Sequence, residues 1–182
     1  MDMLDTIRGA AVNTQRIIEG IRPDQMGNAT PCTDMDVRGV LEHMLGGGAM
    51  LAAMLTGVPG APLELGDQPA SAVKQMSEQL LVALEQPGIM EKEFDFGGNA
   101  MPGARLAGIV LMEMVVHGWD LAKATSQDHG IPDALAEGML AQAQHMPDSY
   151  RGETGAAFRP AVSIADDAPA ADRLAAFLGR EV

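Results

Sequence analysis

The chain has 182 residues and 19.1 kDa, enough for one domain with its own core, and its 47% hydrophobic and 20% charged content excludes a disordered or fibrous protein. Acidic residues outnumber basic ones 25 to 12, so a net charge of -13 argues against nucleic-acid phosphates or an anionic membrane surface as partners. Cys32 is the one cysteine, which leaves no internal disulfide and no multi-cysteine zinc site. The N-terminus lacks a basic and then apolar leader, and no apolar run approaches the ~18 residues of a membrane span. The expected location is therefore the cytoplasm, where the sequon at Asn28 has no role. Aromatics are only 3% against 14 Met, so aliphatic and Met side chains must fill the core, which suits packed helices.

In chain order, Leu4, Ile7, Ala11, Ile18 and Ile21 recur at helical spacing, predicting a first helix over residues 3–22 that Pro23 ends. At Thr33 to Asp36 the Thr hydroxyl could cap the Asp36 N–H, opening a second helix that carries Val37, Val40, Leu41, Met44, Leu51 and Leu55 and stops at Gly57. Gly46, Gly47 and Gly48 each cost a helix interior roughly 1 kcal/mol relative to Ala, so either something approaches closely there or the helix bends. Val73, Met76, Leu80 and Leu84 mark a third helix ended by Pro87 and Gly88. Glu91 to Phe96 alternates weakly, is bounded by Gly97-Gly98 and Pro102, and reads as a loop without a partner strand. Residues from Gly103 to about Thr125 are apolar enough for the central helix of a bundle. A fifth, shorter helix is expected from Pro132 to Met146, and a last one from Pro169 to Leu178 with Gly179 as its stop. The fold class is all-α: a four-helix bundle over residues 1–150 with an extra short helix, and a C-terminal tail, 151–182, whose short helix packs on it. The connecting loops are long enough for a crossover topology.

At 100° per residue the fourth helix places Leu106, Val110, Glu113, His117, Leu121 and Ala124 in one stripe, so Glu113 and His117 stand a turn apart on the core-facing side. A carboxylate there must be paired or bound to a metal. Antiparallel packing of the second and fourth helices would bring His43 opposite this pair, giving a two-His, one-Glu ligand set for a divalent metal. The alternative is a buried Glu113–His117 hydrogen bond with His43 as an ordinary helix residue.

The run Thr30-Pro31-Cys32-Thr33-Asp34-Met35-Asp36-Val37-Arg38, followed by Leu41-Glu42-His43, resembles the second-helix start of the mycothiol-dependent maleylpyruvate isomerase N-terminal domain family. The run from Glu113 to Thr125 resembles that family's E-x-x-x-H-G-W-D-L-A-x-A-T motif, and Asp166 to Arg180 its C-terminal signature. The resemblance implies a DinB-like bundle with a metal held by His43, Glu113 and His117. The implied metal is zinc, with nickel as the alternative, and the implied cosubstrate is mycothiol or a related low-molecular-weight thiol. The implied reaction is transfer or isomerisation on a small electrophile, with a homodimer as the possible assembly. The isomerase's further C-terminal domain is not among these residues, and Met35 stands where the family has an aromatic, so metal binding is expected to persist with a changed substrate. Two other classes compete: a non-enzymatic metal-binding helical module, and a metal-dependent hydrolase that activates water.

Other residues have milder readings. Cys32 precedes a helix start whose dipole could activate it, but a structural thiol is the commoner case. Trp119 lies about 160° from the Glu113–His117 midpoint on the wheel and is expected to pack against another helix or a subunit. Asp120 could support the metal side or make a surface ion pair. His129 and His145 fall on a loop and at a helix end, where exposed histidines are usual. No phosphate loop or dinucleotide fingerprint occurs.

Overall fold

The structure, a computed structural model, describes residues 2–32, 34–60, 63–152 and 157–182. Among the described residues six helices form: α1 (Met3–Glu19), α2 (Val37–Thr56), α3 (Pro69–Leu84), α4 (Gly103–Thr125), α5 (Asp133–Ala143) and α6 (Ala170–Phe177). A hairpin of β1 (Glu93–Phe96) and β2 (Asn99–Pro102) precedes α4. The protein is all-α apart from this hairpin. Among the described residues no helix is long and apolar enough to cross a membrane.

Helices α1, α4, α2 and α3 pack as a ring in that order. Arg8 pairs with Glu85 at one end of α1, and Gln15 Nε2 donates to Ala70 O farther along, so α3 runs against α1. Asn28, just ahead of α2, donates from Nδ2 to Ala124 O at the end of α4, while Gly48 and Leu51 face Val110, so α2 runs against α4. Thr14 Oγ1 donates to Met114 O, and Gln127 Nε2, just past α4, donates to Ile17 O, so α1 and α4 run the same way and α2 and α3 therefore do too. The connection between them must cross the length of the bundle, as its Pro/Gly-rich sequence allowed.

Packing explains the local details. At Gly48 a side chain of α3 comes close against the backbone of α2: a Cβ there would lie 2.2 Å from Met76 Sδ, whereas Gly46 and Gly47 face open space. The close approach expected of the glycine run thus holds at one position of three. Helix α4 is buried on nearly all sides, with Leu106, Ala107, Leu121 and Ala122 at 0% exposure, as its unbroken apolar sequence required. Trp119 is buried, and its Nε1 donates to Asp172 Oδ1 of α6 at 2.9 Å, which fixes α6 against α4. Helix α5 packs mainly on α6, so these two form a pair beside the bundle.

Three expectations need correction. Residues Glu91 to Phe96 are not wholly a loop: Glu93–Phe96 pairs antiparallel with Asn99–Pro102 through Gly97 and Gly98, at φ +62° and +84°. Two consecutive positive-φ residues make the tight turn whose twist matches a hairpin, so the Gly-Gly pair was the turn itself rather than a boundary. Phe94 and Met101, opposite each other, are both buried. Second, Asp36 itself caps α2, its Oδ1 accepting from Gly39 N at 2.8 Å, and the capping role expected of Thr33 lies outside the described residues. Third, α1 ends at Glu19, because Gly20 closes the helix and Pro23 opens a separate 3-10 turn, Pro23–Gln25.

Candidate functional site

The antiparallel α2–α4 pair brings together the three residues that the sequence singled out. His43 Nε2 of α2 lies 3.2 Å from Glu113 Oε2, and His117 Nε2, one turn along α4, lies 3.4 Å from the same oxygen. The two imidazoles meet edge to face, 4.9 Å between ring centres at 74°. One donor atom from each residue lies within 4.8 Å of the other two. Side-chain exposure is 7% for His117 against 38% for Glu113 and 44% for His43, so His117 forms the floor and the other two face the opening.

Beneath the floor, His117 Nδ1 lies 3.0 Å from Asp120 Oδ2, and Asp120 is completely buried. Arg180, from the C-terminal segment, donates from Nε to Asp120 Oδ1 at 3.3 Å and from Nη2 to Oδ2 at 3.1 Å. Of the two roles open to Asp120 in the sequence, the structure has it beneath the histidine rather than in a surface pair. A carboxylate bonded to Nδ1–H would leave the Nε2 lone pair directed at the cleft once a metal displaces the Nε2 proton, the usual arrangement behind a metal-bound histidine. The donor set of two imidazoles and one carboxylate fits a divalent transition metal such as zinc.

The ionisation of the group follows from its neighbours. Burial opposes charge on Glu113, yet hydrogen bonds and attraction from His117 and His43 outweigh it and hold the carboxyl well below the usual carboxylate range. Burial likewise opposes charge on His117, but Asp120 and Glu113, one on each ring nitrogen, prevail and push it up to about 9. Cys32 lines the same cleft, and burial raises its thiol above the ordinary range against the pull of Arg180, with smaller upward pushes from Asp120, Asp34 and Glu113. A thiol held up in this way is the less reactive form, as in a structural cysteine.

The cleft above the three residues has a volume of about 300 Å³ and an apolar wall that includes Met35, Met112, Val116, Phe158 and Leu178. Asp34 and Arg159 meet at its rim, Arg159 Nη2 donating to both carboxylate oxygens at 2.9 Å. His129 takes no part: its Nδ1 accepts from Ile131 N in a loop, and His145 is exposed on the turn after α5.

The model of the mycothiol maleylpyruvate isomerase N-terminal domain matches residues 7–122, nearly two thirds of the chain. The chain belongs to this family. An uncharacterized protein of Mycobacterium tuberculosis, found in strains CDC 1551 and H37Rv, is 30% identical over 169 residues, covering 91% of this chain and 91% of the relative. No solved structure matches the chain. The family match includes His43, Glu113, His117 and Asp120 but ends before α5, so Phe158, Arg159, Leu178 and Arg180 reach the cleft from outside the matched domain. Sequence reasoning missed Arg180 and Arg159, which lie far from the other site residues in the chain. The one signal was that the C-terminal signature from Asp166 includes Arg180, though nothing in it marks a partner.

Proposed function

We propose that this protein is a metal-dependent thiol transferase or isomerase of the mycothiol type, acting on a small electrophile. The observation that carries the reading is the convergence of His43, Glu113 and His117 donor atoms at the floor of an open cleft. Zinc, with nickel as the alternative, suits two imidazoles and a carboxylate. When bound, such an ion supplies Lewis acidity that lowers the pKa of a coordinated thiol, so that thiolate is present at neutral pH.

The chain's own residues supply the rest. Asp120 accepts from His117 Nδ1 and leaves Nε2 as a donor, while Glu113 adds the one negative charge among the three ligands. Asp120 is paired with Arg180, and Asp34 at the rim with Arg159, which leaves Glu113 as the carboxylate without an arginine partner; the positive charge of a bound metal would offset it, so that an anionic sulfur is not repelled. The wall of Met112, Val116, Phe158 and Leu178 excludes water and packs against the carbon frame of a thiol or an electrophile.

The test is turnover of mycothiol with a panel of small electrophiles by zinc-loaded protein. The expected result is consumption that requires both thiol and metal and is lost in His43→Ala and Glu113→Gln. Turnover of the electrophile without thiol would replace the reading with metal-assisted hydrolysis. Tight metal binding with no turnover of either kind would leave a non-enzymatic metal-binding module.

A further inference from the structure

We infer that Arg180 is a positioning residue for the candidate metal centre: by clamping Asp120 it holds the His117 ring with Nε2 toward Glu113 and His43, so the C-terminal segment completes a site otherwise built by α2 and α4. This inference rests on the metal reading above. Arg180 is 6% exposed and Asp120 0%, and a carboxylate so buried is stable only with charged or hydrogen-bonding partners. Asp120 Oδ2 is shared by His117 Nδ1 and Arg180 Nη2, while Arg180 Nε holds the other oxygen. The two-point fork fixes the plane of the carboxylate, and with it the acceptor that orients the imidazole. Arg180 Nη1 donates back to Leu178 O at 3.1 Å, so the guanidinium is itself held in place.

The approach of the C-terminal segment is built for this contact. Gly179 adopts φ +85°, and a Cβ there would lie 2.7 Å from Arg159 Cβ and 2.8 Å from Arg159 O, so only glycine makes the turn that carries Arg180 inward. Asp172 accepts from Trp119, the residue beside Asp120 in sequence, and so docks α6 against the back of the same stretch of α4. Cys32, His117 and Asp120 also offer donor atoms within 4.8 Å of one another, but a cation there would stand against the Arg180 guanidinium on both Asp120 oxygens. The buried group therefore works as an anchor and not as a second metal position.

The experiment measures zinc affinity by chelator competition for wild type, Arg180→Met, Arg180→Lys and Asp172→Asn, with circular dichroism as the folding control. Nitrogen-15 NMR of zinc-loaded, histidine-labelled wild type reports which His117 nitrogen binds the ion. Loss of an outer partner of a metal-bound histidine weakens binding about 10- to 100-fold, and that loss is expected for Arg180→Met. Arg180→Lys should recover part of it, since it restores charge without the fork. Asp172→Asn, which keeps the acceptor for Trp119 and so the docking of α6 but loses the ion pair with Lys123, should bind zinc as wild type does. Wild-type NMR should show Nε2 on the metal and a proton on Nδ1. Unchanged affinity in Arg180→Met, an equal loss in Asp172→Asn, or Nδ1 on the metal would each overturn the inference while leaving the metal reading intact. A wild type that takes up no zinc would overturn both. If Arg180→Met does not fold, Arg180→Lys decides: affinity below wild type is expected, and wild-type affinity would overturn the inference.

Discussion

Single alanine substitutions along the glycine run of α2 should move stability in opposite directions, according to what each new methyl group meets. Ala in place of Gly inside a helix gains about 1 kcal/mol from the lower backbone entropy of the unfolded chain. At Gly46 and Gly47 no atom lies within 4 Å of the added Cβ, so that gain should appear almost undiminished. At Gly48 the Cβ would lie 2.2 Å from Met76 Sδ and 2.6 Å from its Cγ, two atoms near the middle of a side chain that is 3% exposed. Overpacking of this kind costs about 1–3 kcal/mol, which exceeds the helical gain, so a net loss of about 1 kcal/mol is expected. For a domain of this size each kcal/mol moves Tm by about 2–4 °C. Thermal unfolding with a chelator present, so that metal binding does not contribute, should show Gly46→Ala and Gly47→Ala melting above wild type and Gly48→Ala below it. In a Met76→Ala background the sign at Gly48 should reverse, because the obstructing atoms are gone. A Gly48→Ala protein as stable as Gly47→Ala, or no coupling with Met76, would refute the packing described for α2 and α3.

Other predictions concern the site and its supports. The metal-free protein should lose stability as pH rises through about 9, because His117 is charged between two carboxylates in the fold and holds that proton more tightly than in the unfolded chain. The contribution is present in full below the ordinary imidazole range, and pH-dependent melting of His117→Gln should lack this alkaline loss. Cys32 should react slowly with a thiol reagent at neutral pH and faster as pH rises, since burial holds its thiol up, and rapid neutral labelling would contradict this. Gly179→Ala should destabilise the protein by more than about 1 kcal/mol through its positive φ and the Arg159 backbone, and hydrogen exchange should show α6 loosening first.

Much of the bundle was legible because its helices obey one period. The stripe that contains Glu113 and His117 follows from the spacing of α4 alone, and the structure has both on the face turned toward α2. His43 needed more, because periodicity places a residue on its own helix but not opposite a residue 70 positions away; antiparallel packing of the second and fourth helices had to be assumed, and the family resemblance favoured that arrangement. The β1–β2 hairpin was missed because its strands are four residues each and their turn, Gly97-Gly98, also reads as a helix breaker. The Asp120–Arg180 contact joins residues 60 apart through a turn at Gly179, and nothing local marks a pairing at that range. Thus the inner faces of the helices were readable, while the contribution of the C-terminal segment depends on tertiary packing.

Metal content tests the central claim most directly: elemental mass spectrometry of untagged protein purified without added metal, wild type beside His117→Ala. About one zinc or similar divalent ion per chain in wild type and none in the variant is the expected result, since His117 is the innermost of the three donors and the one that Asp120 orients. No metal in wild type even after reconstitution, or equal metal in both proteins, would contradict the site and leave His43, Glu113 and His117 as a hydrogen-bonded polar cluster.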